Sequence, residues 1–378
     1  MPGSAPSPDL QGPFEDPSGL RSAIVDPLED WFRVEARDLP WRRGRTPWRA
    51  LVGELMLQQT QVSRVAERFE AFLERFPTPA AMVAAGEDEV LAAWEGMGYY
   101  RRARMLHAAA VRIVERHGGD VPDDPKAILD LPGVGRYTAG AIASIVFGRR
   151  EPIVDGNVVR VVARLAAVDA RADDPALVAS TWRAAEELVA VAGDPGVLNE
   201  GLMELGATVC TPANPRCERC PIASGCLGRA RGLESEVPRP KSKPVRTVIH
   251  IHLVLVRRGE EILLERRPRG GVWGGLWQPI GVESAIELEP RAVGERLGAW
   301  LGSPTPRASV RRLLTHREVH LHLLEAENPE GDPESGSDGE TGWFDRDRAS
   351  ELGCPKPVRT LLDRFGWPRD RREPSLLG

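Results

Sequence analysis

Apolar residues recur every three or four positions from Arg21 to about Phe147, the period that gathers them on one side of a helix. In LVGELMLQQTQVSRVAERFEAFLERF, Leu55, Val62, Val65, Phe69, Phe72 and Phe76 form one such stripe, and Pro77 and Pro79 end it. Helical spacing returns at 87–94, 100–117 and 125–130 and continues over 152–207, with short Gly- or Pro-bearing connections. Many helices joined by short loops predict an all-α domain over 21–232. The stretch 233–246, LESEVPRPKSKPVR, has no apolar period and reads as a linker. Beyond it the period drops to two. VIHIHLVLVRR and EILLERRP are β-branched runs separated by Gly-Glu, a hairpin signature, and VHLHLLEAE (319–327) alternates likewise. Residues 247–370 are therefore expected to form a second, α+β domain. Residues 1–20, rich in Pro, Gly and Ser, read as a disordered tail.

Composition refines this picture little. At 378 residues the chain holds two cores comfortably. No apolar run is long enough to span a bilayer, and the N-terminus lacks a basic start followed by an apolar stretch. A cytoplasmic protein is expected, nucleoid-associated if bacterial, with no membrane partner. The net charge of −5 argues against nucleic acid, but it is a blunt measure for a two-domain chain. Acidic residues crowd 325–340, whereas arginines gather in YYRRAR (99–104) and around 238–246. A local basic face is open to the protein, with Arg101, Arg102 and Arg104 as candidates to meet phosphate.

Two motifs carry chemistry. LPGVGRYTAG (131–140) lies between the amphipathic DPKAILDL and the helical RYTAGAIASIVFG. It is neither a GxxxxGK[ST] phosphate loop nor a dinucleotide turn after a strand. Helix, LPGVG, helix is the pattern of a helix-hairpin-helix, in which Gly133 and Gly135 let amide N–H groups approach a DNA phosphate. A plain interhelical turn is the alternative. The second motif is C-x6-C-x2-C-x5-C, formed by Cys210, Cys217, Cys220 and Cys226. Without a secretion signal, four cysteines in one short loop point to a metal site rather than disulfides. The compact spacing fits a four-cysteine iron–sulfur cluster better than the separated pairs of a zinc ribbon. A zinc knuckle or unligated core cysteines are the alternatives.

Hairpin followed by cysteine loop resembles the DNA glycosylases of the endonuclease III superfamily, and the MutY-type adenine DNA glycosylases most closely. The likeness rests on LPWR (39–42), GELMLQQTQV (53–62), WEGMGYYRRAR (94–104), LPGVGRYTAGAI (131–142), VDGNVVRV (154–161), LNEGLMELGATVC (198–210) and GGLWQP (274–279). It implies a [4Fe–4S] cluster on the four cysteines, a six-helix module near 42–151, and the N-terminal helix joined to 152–232 around the cluster. It also implies Glu54 as the acid that protonates adenine N7 and Asp155 as the carboxylate that stabilises the sugar cation or traps it covalently. Burial on the apolar GELMLQQ segment would keep Glu54 protonated near neutral pH. The plain alternatives are a surface glutamate and a helix N-cap. Strand-cutting members of the superfamily carry a lysine where this chain has Tyr137. A phenol forms no Schiff base, so a monofunctional glycosylase is implied.

By the same resemblance, Gln59, Thr60 and Tyr99 contact DNA beside the lesion, and Arg42, Asn157 and Glu200 line the adenine pocket. The second domain resembles the Nudix-like domain of that family but lacks the glutamate-rich Nudix hydrolase box after GGLWQPIGVES. In the family this domain inspects 8-oxoguanine through a Phe-Ser-His loop. Here the matching residues are Leu314, Thr315 and His316, which keep the hydroxyl and the imidazole and lose the phenyl ring. The expected substrate is double-stranded DNA with adenine opposite 8-oxoguanine or guanine, bound by a monomer. Three rivals stand beside it, a lyase acting on oxidised pyrimidines, a non-catalytic DNA-binding module, and a nucleotide pyrophosphatase activity in the second domain.

Overall fold

A computed structural model of the chain describes residues 10–242, 245–326 and 340–366. The described helices are α1 (Asp26–Glu35), α2 (Pro47–Leu57), α3 (Val62–Ala66), α4 (Phe69–Arg75), α5 (Pro79–Ala85), α6 (Glu87–Ala93), α7 (Arg101–Arg116), α8 (Pro125–Leu129), α9 (Arg136–Ile145), α10 (Gly156–Leu165), α11 (Pro175–Ala190), α12 (Pro195–Thr208), α13 (Leu227–Ala230), α14 (Pro290–Leu297), α15 (Arg346–Ser350) and α16 (Lys356–Phe365). Four of them start on the same two-residue device. Thr46, Asp124, Asp174 and Asp194 each accept a backbone N–H from the first turn, and a proline follows each of them. The side-chain oxygen satisfies an orphan amide and the proline fixes the first helical φ.

Two units emerge, Met1–Ala81 with Ala108–Lys243, and Met82–His107 with Pro244–Gly378. In the first, Leu28 of α1, the valines of α10, Leu177 and Leu188 of α11, and Leu198, Leu202 and Leu205 of α12 share one buried core. The fold differs from the sequence reading in three places here. The stripe from Leu55 to Phe76 is three helices rather than one, because Gln59 has φ 54 and ends α2. Its apolar residues are still buried, apart from the half-buried Val62. Residues 10–20, read as part of a disordered tail, fold into short 3-10 turns, with Phe14 and Leu20 seated in the core as apolar anchors; residues 1–9 lie outside the described residues. The described part of the linker is held as well. Val237 is buried, and Arg239 exchanges backbone hydrogen bonds with Ala170 and Ala172.

Among the described residues the second unit holds eight strands, β1 (Thr247–Leu255), β2 (Arg257–Arg258), β3 (Glu261–Arg266), β4 (Trp277–Pro279), β5 (Gly281–Ser284), β6 (Thr305–Leu313), β7 (Arg317–Glu325) and β8 (Thr341–Phe344). One sheet runs β5-β1-β7-β6, with β1 and β7 parallel; in the other, β3 pairs with β2, β4 and β8. The expected hairpin is thus only the short β2–β3 pair around Gly259, and β1 belongs to a different sheet. Ile249, Ile251 and Leu253 of β1 and Val319, Leu321 and Leu323 of β7 fill the core on one face. Residues 82–107 also belong to this unit, which the helical period could not show: the Tyr100 hydroxyl donates to the Cys354 carbonyl at 3.0 Å and Arg359 pairs with Glu95 at 3.3 Å. Arg102 and Arg104 do not form a free basic face. Arg102 is buried, lies over the Trp94 ring and donates to the Met97 and Gly98 carbonyls, and Arg104 donates to the Gly274 carbonyl. Packing thus takes up two of the three arginines and leaves Arg101 exposed. Among the described residues no helix is long and apolar enough to cross a membrane.

Candidate active site

A cavity of about 240 Å³ opens within the first unit. Of the residues expected at a site, Arg42, Glu54, Thr60, Tyr137, Asp155, Asn157 and Glu200 line it. They come from α2 and the loop after it, α9, α10 and its cap, α12 and the 3-10 turn Pro40–Arg42, so distant segments of sequence converge here.

Glu54 sits on α2 among Leu51, Val52, Leu55 and Met56, all buried. Gly53 beside it allows Trp41 to close in, since a Cβ there would stand 3.2 Å from the Trp41 Cβ. The Oε2 of Glu54 is sealed from solvent and has no hydrogen-bond partner among the described residues. Burial pushes its carboxyl up from the usual 4.5 to about 7; a hydrogen bond with Tyr137 pulls it down, and the charges of Glu200 and Asp155 add to the rise. Tyr137, in the first turn of α9, also reaches Met203 Sδ at 3.1 Å. Its single proton cannot serve both partners. An ionised Glu54 receives it, whereas a protonated Glu54 can donate to the phenol oxygen and leave the proton to the sulfur. Burial and then the charge of Glu54 raise the phenol well above its ordinary value, so it stays neutral.

Asp155 has the opposite surroundings. It caps α10, and its Oδ1 accepts the backbone N–H groups of Asn157 and Val158, each at 2.8 Å. Its Oδ2 accepts Asn157 Nδ2 at 2.8 Å. Asn157 Oδ1 in turn accepts from Arg160, which also donates to the Gly206 and Cys210 carbonyls. Gly206 must lack a side chain, since a Cβ there would lie 2.6 Å from Asn157 Cβ. Three donors and a helix N-terminus converge on a group that only accepts.

The far wall is a charge lattice that sequence reasoning saw only in part. Arg42 bridges Glu200 and Glu204, at 3.0 Å each, and lies over the Phe32 ring. Arg37 grips Glu204 at 2.6 Å and Arg45 grips Glu200 at 2.6 Å. Burial pushes the Glu204 carboxyl up, but Arg37 and Arg42 outweigh it and hold the group below its usual range. Glu204, Arg37 and Arg45 were missed. The four-residue spacing of Glu200 and Glu204 in EGLMELG, one helical turn apart on an apolar helix, was the available signal.

Other expected residues stand outside the cavity. Gln59 is exposed at the end of α2. Gly133 has φ 79, the left-handed turn the hairpin needs, whereas Gly135 caps α9 in an extended conformation with open space where a Cβ would go. Gln58 Nε2 donates to the Gly133 carbonyl at 3.5 Å, tying α2 to the hairpin. In the second unit, Tyr99 has φ 48 and its hydroxyl meets that of Thr315. Thr315 and His316 are exposed in the turn between β6 and β7, beside the half-buried Leu314.

Cys210, Cys217, Cys220 and Cys226 line one small cavity of about 30 Å³, and none is in a disulfide. Arg164 donates to Cys210 Sγ at 3.3 Å and the Arg229 N–H to Cys226 Sγ at 3.5 Å. Four sulfurs on one cavity, with N–H donors aimed at two of them, fit a metal centre held by thiolates. Cys354 is buried in the core of the second unit.

Residues 52–187 match the HhH-GPD superfamily of base excision DNA repair proteins, and 252–364 match the NUDIX domain. The human adenine DNA glycosylase is 35% identical over 80% of this chain and 66% of its own length, and the rat protein 34% over 78% and 67%. That of Mycolicibacterium smegmatis is 46% identical over 55% of this chain and 71% of its own. This chain belongs to the adenine DNA glycosylase family. It spans about two thirds of the length of the mammalian relatives. A thermostable thymine-DNA glycosylase structure, 29% identical with TM-score 0.51, covers 57% of this chain and 98% of its own, so the two share the helical fold.

Proposed function

We propose that this glycosylase hydrolyses the N-glycosidic bond of adenine opposite 8-oxoguanine or guanine in duplex DNA and leaves the strand intact. The observation that carries the reading is the pairing, across one cavity, of a carboxyl whose Oε2 is sealed and which burial pushes up to about 7 with a carboxylate saturated by donors. Glu54, protonated near neutral pH, gives its proton to adenine N7 as the bond from N9 to C1′ breaks, and adenine departs neutral. The anion of Asp155 offsets the positive charge that develops on the sugar. Water then adds its oxygen to C1′ and returns a proton to Glu54. Tyr137 hydrogen-bonds the acid and offers no amine, so no Schiff base forms. Arg42, Asn157 and Glu200 fix the cavity walls, and Thr60 stands at its lining.

Gly133 and Gly135 present the start of α9 to a phosphate, and Gln59, Tyr99, Thr315 and His316 are assigned to DNA around the mispair. The open space at Gly135 supports this, because the fold itself has no need of a glycine there. Cys210, Cys217, Cys220 and Cys226 would hold a [4Fe–4S] cluster. With all four positions of the loop used as ligands, such a cluster braces the loop and leaves no site for substrate. The protein acts as a monomer, in the cytoplasm.

The test is release of adenine from a labelled duplex with adenine opposite 8-oxoguanine, each sample analysed with and without hot alkali. A break only after alkali is expected. A break without alkali would establish lyase chemistry, and no break under either treatment would overturn the substrate assignment. Binding should weaken steeply between roughly 50 and 200 mM salt, since the phosphate contacts release counterions.

A further inference from the structure

The two-residue alternation of HIH in β1 and HLH in β7 places four of the chain's seven histidines on one face of one sheet. β1 and β7 are parallel and in register, with His250 opposite His320 and His252 opposite His322. The result is a two-by-two grid of imidazoles on the side of the sheet away from Ile249, Ile251, Val319 and Leu321. The rings lie nearly parallel, with centroids 4.8 Å apart for His250 and His320, 4.6 Å for His252 and His322, and 5.3 Å across the diagonal from His250 to His322.

The diagonal pair makes the closest contact, His250 Nδ1 to His322 Nε2 at 3.0 Å. Glu287 stands beside it, its Oε1 3.5 Å from His322 Nδ1. One ligand atom from each of His250, His322 and Glu287 can be chosen so that all three lie within 4.8 Å of one another. Two nitrogens that close need either a proton or a shared cation between them. His252 and His320 are tied elsewhere: the Leu288 N–H donates to His252 Nε2 at 3.0 Å, and His320 Nε2 is 2.9 Å from Glu318. They therefore brace the pair and leave its nitrogens to a ligand. Glu287 is well exposed while His322 is nearly covered, so the site is open on the carboxylate side.

We propose that His250, His322 and Glu287 form a zinc site in the second unit, with water completing the coordination. Two imidazoles, one carboxylate and a fourth open position suit Zn²⁺ and similar first-row divalent ions, not Mg²⁺ or Ca²⁺, which prefer all-oxygen shells. The site is independent of the cysteine loop and of the catalytic reading.

The full chain is titrated with zinc sulfate by calorimetry, and the bound ion is then characterised by X-ray absorption at the zinc edge. One equivalent is expected with nitrogen and oxygen neighbours and no sulfur. His322→Ala should weaken binding by more than about 100-fold, since even groups behind the ligands contribute 10- to 100-fold. Glu287→Gln, at an exposed position with no part in the core, should weaken it by at least about tenfold and keeps the test valid if the histidine variant fails to fold. No bound zinc, sulfur neighbours, or the same affinity in Glu287→Gln as in the parent would overturn the proposal, leaving a stacked, proton-sharing histidine grid.

Discussion

Glu54 and Asp155 face the same cavity from walls of opposite character. The α2 wall gives Glu54 apolar neighbours and leaves Oε2 without a donor. The α10 wall gives Asp155 two backbone amides, a side-chain amide and a helix start. The charges have little to do with the side chains being Glu and Asp, because two carboxyls differing by one methylene ionise alike in water. Their surroundings differ, one poor in donors and one rich in them. The contrast also teaches where the cost falls: the fold holds Asp155 in a position that stabilises α10, and holds Glu54 in one that favours its neutral form.

The comparison breaks first at its catalytic claim. Glu54→Gln keeps size and removes the proton, and single-turnover adenine release should fall by about 10³-fold, within the range for a lost general acid. DNA binding should persist; a variant that still cleaves at the parental rate would remove Glu54 from the chemistry. Asp155→Asn is the matched change, because Asn caps a helix as well as Asp does. The charge is lost, together with the acceptor for Asn157 Nδ2, and the rate should drop by about 10²- to 10³-fold with little loss of melting temperature. Equal rates would show that the donors around Asp155 serve α10 alone.

Stability against pH tests the same contrast without substrate. The folded carboxyl of Glu54 ionises near 7 and the unfolded one near 4.5. The folded state therefore holds more protons between those values, and stability is lost as pH rises through that window. At about 1.4 kcal/mol per unit, the cost of ionising Glu54 approaches roughly 3 kcal/mol above pH 8. Glu54→Gln should gain stability relative to the parent from pH 5 to pH 8, followed by thermal unfolding. A gap that stays constant over that range would mean Glu54 is hydrated in the folded protein. Asn157→Ala has a smaller effect. It removes one of three donors to Asp155 and the link to Arg160, and a hydrogen bond to a charged group is worth about 1.5–3 kcal/mol, or about ten- to hundredfold in rate. Loss of less than twofold would show that the two backbone amides suffice.

Much of this site was legible because its residues lie in short motifs with tight local geometry. Asp155 caps the helix that VDGNVVRV announces, and the LPGVG turn delivers the left-handed Gly133 between two helices. Glu54 stood out as one carboxyl in an apolar run. What the sequence hid was non-local. No period shows that Arg37, Arg42 and Arg45 close on Glu200 and Glu204 from opposite ends of the helical unit, or that Gly206 is small to make room for Asn157. The apolar stripe through Gln59 misled because helical spacing survives a break when the next helix faces the same core. Likewise, residues 82–107 carry an ordinary helical period, and nothing local tells that the Tyr100 hydroxyl reaches Cys354, far along the sequence.

The smallest expected effect sharpens the comparison most, because it touches the phenol that hydrogen-bonds Glu54. Tyr137→Phe removes the hydroxyl whose hydrogen bond holds the Glu54 carboxyl lower than burial alone would place it. Without it the acid stays protonated to higher pH. The alkaline limb of the rate profile should move upward, while the rate near pH 6 changes by no more than a few-fold, since a phenol that neither gives nor takes the transferred proton loses only a supporting hydrogen bond of about 1 kcal/mol. Single-turnover rates between pH 5 and pH 9 in both proteins decide it. If the limb stays in place and the rate falls a hundredfold or more throughout, Tyr137 itself acts on the substrate, and the donor-poor wall has a second working group that the contrast with Asp155 leaves out.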